Sequence, residues 1–345
     1  MANTMTSVFI TGATGYIGGS FLARLLVPSY EYKLNISILV RSKEKAESLQ
    51  SEFGIHSIVG SLEDEDILEE AASQAHIVVN FANCDHLEGA KAILRRLKRR
   101  HETTGDVPIL LHTSGTGTIL ADDRGMAITG EIYDDLNPDQ IETLPPKALH
   151  RHVDLEVVAA DKEGYVKSYI VLPSLVFGIA SNVLVDAGLA RKVSIVLPGS
   201  IRFALDRGEV GMIGKGLSVW NCVHIDDNTD AYMLLFDTIL AQRNRDIGHG
   251  RDGYYILENG QFSWYELAKE LAVVLHRQGK IKSDEPSTYT EEELVKYYGS
   301  LEMAYIFGTT SRGRGNRIRA LDWKPQKLAQ DLLATVEAEV NNSTA

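Results

Sequence analysis

The chain has 345 residues, 44% hydrophobic and 24% charged, an ordinary balance for a globular protein, and its length suits one large α/β domain with a smaller second lobe. A net charge of −12 argues against a nucleic-acid partner or an anionic membrane surface. Cys84 and Cys222 give no disulfide framework and no metal-ligand spacing; no apolar run spans a bilayer, and residues 1–7 lack a signal-peptide pattern, so no metal and a cytoplasmic setting are expected.

The stretch Val8-Phe9-Ile10-Thr11-Gly12-Ala13-Thr14-Gly15-Tyr16-Ile17-Gly18 joins an apolar strand to a helix through glycines spaced G-x-x-G-x-x-G. Gly12 allows a tight turn, Gly15 lets a phosphate approach the backbone, and Gly18 lets the helix lie close to the strand. The helix N-terminus then offers N–H groups and a dipole to a pyrophosphate. Glycines also serve ordinary turns, so the weight comes from the strand before and the helix after. Pro28 ends that helix, and a second strand over 36–40 closes on Arg41. An acidic residue there would hold the ribose 2′-hydroxyl of NAD, whereas a basic one suits a 2′-phosphate. Arg41, with Lys43 and Lys45 behind it, therefore favours NADP(H) over NAD(H).

Strands over 55–59, 76–83, 109–112 and 169–173 alternate with helical patterns. The run over 76–83 is nearly all apolar, as a parallel strand buried on both faces should be. This alternation predicts a Rossmann-type doubly wound parallel sheet with a smaller C-terminal substrate-binding lobe. The expected division is 1–178 for the nucleotide-binding domain, with 220–258 returning to it, and 179–219 plus 260–345 for the lobe. Ligands gather at the carboxyl ends of the strands, an edge that includes Gly12, Arg41, Leu62, Phe81, Ala82, Asn83, Thr113 and Ser114. The basic run over 95–101 follows the apolar stripe Ala90, Ile93, Leu94 and Leu97 and reads as a solvated helix end. Residues 121–146 turn acidic, forming a long loop near the mouth of the site, and a helix follows over 147–162.

Several landmarks together resemble the extended short-chain dehydrogenase/reductase superfamily, the NAD(P)-dependent epimerase/dehydratase-like group. They are the glycine motif, Val79-Asn80-Phe81-Ala82, Thr113-Ser114, Leu172-Pro173-Ser174-Leu175-Val176-Phe177-Gly178, Val223-His224-Ile225-Asp226-Asp227 and Leu321-Asp322-Trp323-Lys324-Pro325. In the last, Asp322 takes the place of the family's glycine in Gly-Trp-x-Pro. The resemblance spans nearly the whole chain. It implies cofactor contacts from Gly12, Thr14, Gly15, Tyr16, Ile17, Gly18, Arg41, Leu62, Phe81, Ala82, Asn83 and Thr113, with Pro173, Leu175 and Val176 along the nicotinamide.

The departure lies at the chemistry. In the family's Tyr-x-x-x-Lys signature the tyrosine exchanges the substrate proton, while the lysine lowers its pKa and holds the nicotinamide ribose. Counting back from Pro173 puts His150 at the tyrosine position and Asp154 at the lysine position, on one helix face. Tyr165 and Tyr133 do not restore the signature, because Lys167 follows the first by two residues and Asn137 the second by four.

Three functions remain open. In the first, an NAD(P)-dependent oxidoreductase acts on a carbonyl or alcohol of a small, largely apolar metabolite. His150 is then the general acid/base, Asp154 orients its ring, and Ser114 or Thr116 hydrogen-bonds the substrate oxygen. Against this, residues 150–152 also suit a solvated helix start. The second is an NADP(H)-binding redox sensor without hydride transfer, and the third a non-redox isomerase or lyase. Leu184, Leu189, Ile195, Val196, Leu197, Phe203, Tyr297, Tyr298, Tyr305 and Phe307 fit either an apolar ligand or a small core. Gly313, Arg314 and Arg317 suit an anion or a flexible charged loop. The resemblance also implies a homodimer through a four-helix interface, built from the helices near 90–100 and 147–162.

Overall fold

The computed structural model describes residues 5–241 and 247–344; residues 1–4, 242–246 and 345 of the expected units lie outside them. Thr6–Thr11 (β1), Leu34–Val40 (β2), His56–Val59 (β3), Ile77–Asn80 (β4), Ile109–Thr113 (β5), Lys167–Pro173 (β6) and Tyr254–Leu257 (β7) form a seven-stranded sheet. Its order is β7-β6-β5-β4-β1-β2-β3, and every pairing is parallel. Strand β1 carries apolar side chains on both faces, so helices must cover both sides. Val8 and Ile10 pack with Tyr16–Leu25 (α1), Lys43–Phe53 (α2) and Ile225–Ala241, while Phe9 faces Glu65–Ser73 (α3), Leu87–Thr104 (α4) and Arg151–Lys162 (α5). The strand order reverses at β1, between β2 and β4. In a sheet of this kind that reversal opens a crevice at the carboxyl ends.

The helix expected over 147–162 begins at Arg151. His150 has φ 67, a left-handed conformation that cannot continue a right-handed helix toward the N-terminus. The basic end of α4 is solvated and ion-paired. Arg95 meets Glu65 and Glu69, Arg96 meets Glu70, Lys98 meets Glu163, and Arg100 meets Asp106. The acidic segment is tied down across the molecule. Asp135 is buried and accepts from the amides of Ile256 (3.0 Å) and Arg317 (2.8 Å), and Tyr133–Asp134 pairs with Gly313–Arg314. Arg317 donates to the Asp135 carbonyl at 2.9 Å, so this region is a regular strand pair and not a loose charged loop.

The smaller sheet is built around Val219–His224, which pairs with Gln261–Ser263, Thr310–Ser311 and Leu175–Phe177. Val196–Arg207, Trp264–Arg277 and Ala329–Thr344 pack with it into a separate core. The stretch 220–258 thus serves both bodies. Its first strand lies in the small sheet, β7 lies in the main sheet, and the helix Ile225–Ala241 packs on α1, with Phe236 edge-on to Phe21 at 5.3 Å.

Two landmarks far apart in sequence lock together here. The carboxylate of Asp227 accepts from the amides of Gln326 (2.9 Å) and Lys327 (2.8 Å), and Trp323 donates to the Asp227 carbonyl at 2.9 Å. Asp322 has φ 77, which explains why glycine suits its place. Removing a buried carboxylate that holds two amides leaves both donors unpaired, at a cost of about 2–4 kcal/mol. Asp227→Ala should therefore lower the thermal unfolding midpoint by several degrees, measured by differential scanning calorimetry, and Asp227→Asn by less.

Candidate active site

The glycine turn is packed from two sides. Gly12 has φ 68, and a Cβ there would lie 2.6 Å from the carbonyl carbon of Phe81, so the turn rests directly on the chain leaving β4. A Cβ on Gly18 would lie 2.4 Å from the Gly12 oxygen, which seats α1 against the same turn. At Gly15 the nearest obstacle is the Gly12 oxygen at 3.0 Å, and its other side is open. Gly15 caps α1, whose first turn carries no acidic residue. An open glycine before an electropositive helix start fits a dinucleotide pyrophosphate.

The other expected cofactor residues lie on or behind this edge. The Tyr16 hydroxyl is committed to the Gly178 carbonyl at 2.6 Å, which leaves its backbone N–H for a phosphate. Ile17 is half-buried against the core, and the Thr14 carbonyl accepts from the Arg191 amide at 3.1 Å. Arg41 is exposed at the end of β2 and has no ion-pair partner among the described residues, while the Lys45 ammonium donates to the Leu189 carbonyl. Leu62 lies beside the start of α4, near Gly89. The ring of Phe81 packs on Phe21 (5.2 Å) and Tyr232 (5.0 Å), and Thr113 shares a 2.8 Å hydrogen bond with the Tyr232 hydroxyl. Ala82 donates its amide to Asn80, Asn83 accepts from the Asp85 amide, and Pro173, Leu175 and Val176 follow β6.

The structure brings Ser114, Asp154 and His150 to this edge, with different partners from those expected. Ser114 donates to the Asp154 carboxylate at 3.1 Å. Asp154 is fully buried, and its other oxygen stands 3.9 Å from Nε2 of the buried His112 with no hydrogen-bond partner. Asp154 therefore does not hold the His150 ring. That ring is held by Asp85, whose Oδ1 lies 2.8 Å from Nδ1, with the Cys84 sulfur at 3.2 Å from the same nitrogen. His150 Nε2 faces the turn after Ser114; a Cβ on Gly117 would lie 2.8 Å from it and one on Gly115 3.3 Å. Thr116 is buried in that turn, where its carbonyl accepts from Ser311. Tyr133 packs into the core beneath α3–α5.

Burial opposes a charged His150, but the hydrogen bonds and charges of Asp85 and Cys84 outweigh it and push the imidazole up to about 10. Burial lowers His112 to about 4, helped by the positive charge of His150. Burial also raises Asp154 to about 6, against the Ser114 bond and the charges of His150 and Arg151. Cys84, Asp85 and His112 carry no motif of their own. The available signal was the polar cluster Asn83-Cys84-Asp85-His86 immediately past an apolar strand, on the edge where ligands gather.

A cavity of about 180 Å³ lies elsewhere, in the second lobe, lined by Phe203, Met212, Trp264, Tyr289, Tyr298 and Phe307. No residue named at the glycine turn or around His150 lines it. Leu184 and Leu189 belong instead to the main core.

An NmrA-like family model matches residues 4–99. Oxidase ucsJ from an Acremonium species is 30% identical over 349 residues, covering 96% of this chain and 97% of that protein. UDP-glucose 4-epimerase from Thermotoga maritima, solved with UDP-glucose, superposes with a TM-score of 0.64 at 16% identity over 98% of this chain and 99% of that one. dTDP-glucose 4,6-dehydratase from Bacillus anthracis, solved with NAD, gives 0.64 at 17% identity over 98% and 97%. Both confirm the fold.

The raised Asp154 carboxyl has a measurable consequence. Its folded value of about 6 lies above the unfolded 3.8, so the folded protein holds a proton that the unfolded chain has released. The stability it lends is present in acid and is lost as pH rises from about 4 through 6. Asp154→Asn keeps an acceptor for Ser114 and removes that loss. Urea unfolding at pH 5 and pH 8 should show a variant less sensitive to rising pH, more stable than the parent at pH 8 by about 1–3 kcal/mol.

Proposed function

The chain belongs to the NmrA-like, NAD-dependent epimerase/dehydratase group of the extended short-chain dehydrogenases/reductases, and on that premise we propose that it is an NAD(P)-dependent oxidoreductase. Its substrate is a carbonyl or alcohol of a small, largely apolar metabolite. The observation that carries this reading is an oriented imidazole, His150 on Asp85, at the strand-end edge that bears an open glycine cradle.

The dinucleotide, when bound, supplies or accepts the hydride. Asp85 holds a hydrogen of His150 on Nδ1, so Nε2, which faces the turn after Ser114, is the nitrogen left to exchange a proton. With the imidazole pushed up to about 10, Nε2 carries a proton at neutral pH and gives it to the carbonyl oxygen in the reducing direction; in the oxidising direction it takes one from the alcohol only after releasing its own. The Ser114 hydrogen is committed to Asp154, so its oxygen offers a lone pair to the substrate hydroxyl. Asp154 acts through Ser114 as a positioning residue. Arg41, exposed and without an ion-pair partner among the described residues, supports NADP(H) through charge-assisted contact with a 2′-phosphate. A homodimer through α4 and α5, which pack side by side, is the assembly in keeping with the family, and two unpaired cysteines suit a cytoplasmic setting. No described helix is long and apolar enough to cross a membrane.

His150→Phe should cut turnover of an aldehyde and ketone panel by about 10²–10⁴-fold, while NADPH affinity by fluorescence titration, which also reports folding, stays within about twofold. Unchanged turnover would overturn the role of His150. Tight NADPH binding by the parent with no turnover of any substrate would favour the sensor reading. Separately, Arg41→Ser should weaken NADPH by about 10–100-fold and leave NADH affinity nearly constant. Equal loss for both nucleotides would remove the case for NADP(H).

A further inference from the structure

Hydride transfer leaves part of this edge unused. Cys84 Sγ, an Asp85 carboxylate oxygen and His150 Nδ1 all lie within 4.8 Å of one another. The sulfur is 3.2 Å from Nδ1 and 4.0 Å from Asp85 Oδ2, and Nδ1 is 2.8 Å from Asp85 Oδ1. Nδ1 carries at most one hydrogen, yet two acceptors converge on it. Asp85 takes that hydrogen at the shorter distance, which leaves the thiol only a long hydrogen bond, 4.0 Å, to Asp85 Oδ2.

A cation in the place of that hydrogen would satisfy all three. Donors around tetrahedral zinc stand roughly 3.3–3.6 Å apart, given bonds of about 2.0–2.3 Å, so the 2.8 Å between Nδ1 and Asp85 must open by about half an ångström and the 4.0 Å between the sulfur and Asp85 must close by about as much. The cluster is held from several sides. His152 Nε2 lies 3.2 Å from the Asp85 carbonyl, and the left-handed backbone of His150 turns its ring to this loop. The next imidazole is already occupied: His86 Nδ1 accepts from the Gly89 amide and its Nε2 lies 2.8 Å from Glu63. All three donors are half-buried.

We infer that Cys84, Asp85 and His150 bind a thiophilic divalent cation of the zinc class, with a fourth position open to solvent. Binding releases the thiol proton and the Nδ1 proton. A thiolate, a carboxylate and a neutral imidazole then set two negative charges against two positive ones. Sulfur and imidazole select zinc, cobalt or cadmium over magnesium and calcium. Sequence spacing conceals such a site, because the third donor is remote in the chain from the adjacent pair. The consequence for turnover rests on the proton-relay reading of His150. With the cation on Nδ1 the remaining ring hydrogen sits on Nε2, and the ring has no nitrogen left to accept another. Zinc therefore blocks the relay without displacing the dinucleotide.

Cobalt titration of the chelator-treated full chain tests the site without reference to activity. The expected result is one equivalent bound, with a thiolate-to-cobalt charge-transfer band and tetrahedral d–d bands. Zinc displaces both, and excess magnesium displaces neither. Cys84→Ser should abolish the charge-transfer band and weaken zinc by at least about 100-fold, with NADPH binding showing that the variant is folded. Absence of the band in the parent, or a band that survives Cys84→Ser and so belongs to Cys222, would overturn the site. If cobalt binds at Cys84 but no carbonyl is turned over, the cation site stands and the oxidoreductase reading fails. If carbonyls are turned over equally with and without zinc, the inhibitory consequence is overturned.

Discussion

A buried polar row across the carboxyl ends of the central strands ties this molecule together. Thr11 on β1 donates to Asn80 on β4, and the Asn80 amide meets His112 Nδ1 on β5 at 3.1 Å. Asn80 Oδ1 also accepts from the Ala82 amide, so its other end must be the donor, and His112 Nδ1 must be the acceptor. The hydrogen of His112 then sits on Nε2, facing the unpaired oxygen of Asp154 at 3.9 Å. A buried donor or acceptor left unmatched costs about 1–3 kcal/mol, so such a row tolerates little shift in register. It fixes the height at which β1, β4 and β5 end. The glycine turn, the loop after β4 and the turn after Ser114 all start from that height.

The row also bears on Asp154, the acid expected at the family's lysine position. Asp154 points inward to Ser114 and His112, carries the opposite charge and is fully buried. What it can do is hold Ser114. The charged group of the site lies one turn earlier, at His150, where the chain leaves the helix in a left-handed conformation. A non-glycine residue held there costs of order 1–3 kcal/mol, and the surrounding contacts must maintain it. Asp85, Cys84 and the glycines at 115 and 117 supply those contacts. The two histidines also oppose each other. The positive charge on His150 helps keep His112 neutral, and the neutral tautomer is the one that the Asn80 contact requires.

The alternation of strands and helices was legible because parallel strands buried on both faces leave long apolar runs, as in Ile77–Asn80. The glycine turn was legible because its spacing answers a steric demand, seen in the missing Cβ space at Gly12 and Gly18. Asp322 was marked by its place in a glycine position, and its φ of 77 shows why that place favours glycine. The role of Asp85 was not legible. Its contact with His150 depends on how the end of β4 sits against the start of α5, a distance set by sheet register and not by local sequence. The helix start was misplaced for a similar reason, because periodicity reports an apolar face and carries no sign of a single left-handed residue. Leu184 and Leu189 show the same limit in the second lobe, since apolar character alone does not say which core a side chain joins.

The loop that leaves β4 is where binding and chemistry meet. Its first residues, Phe81 and Ala82, lie in contact with Gly12, so close that no side chain fits between them. A few residues on, Cys84 and Asp85 hold the His150 ring, and His86 caps α4. This segment touches the glycine turn at one end and the imidazole at the other. The path is short and entirely backbone, with the row at Asn80 anchoring its start. Substitutions on the α5 side, at Asp154 or Ser114, reach the ring only through space and through α5. Those at 81 and 82 touch the glycine turn, and those at 84 and 85 touch the ring. The loop after β4 therefore joins the glycine turn to the His150 ring by a route that does not pass through α5, the helix expected to carry the family's signature.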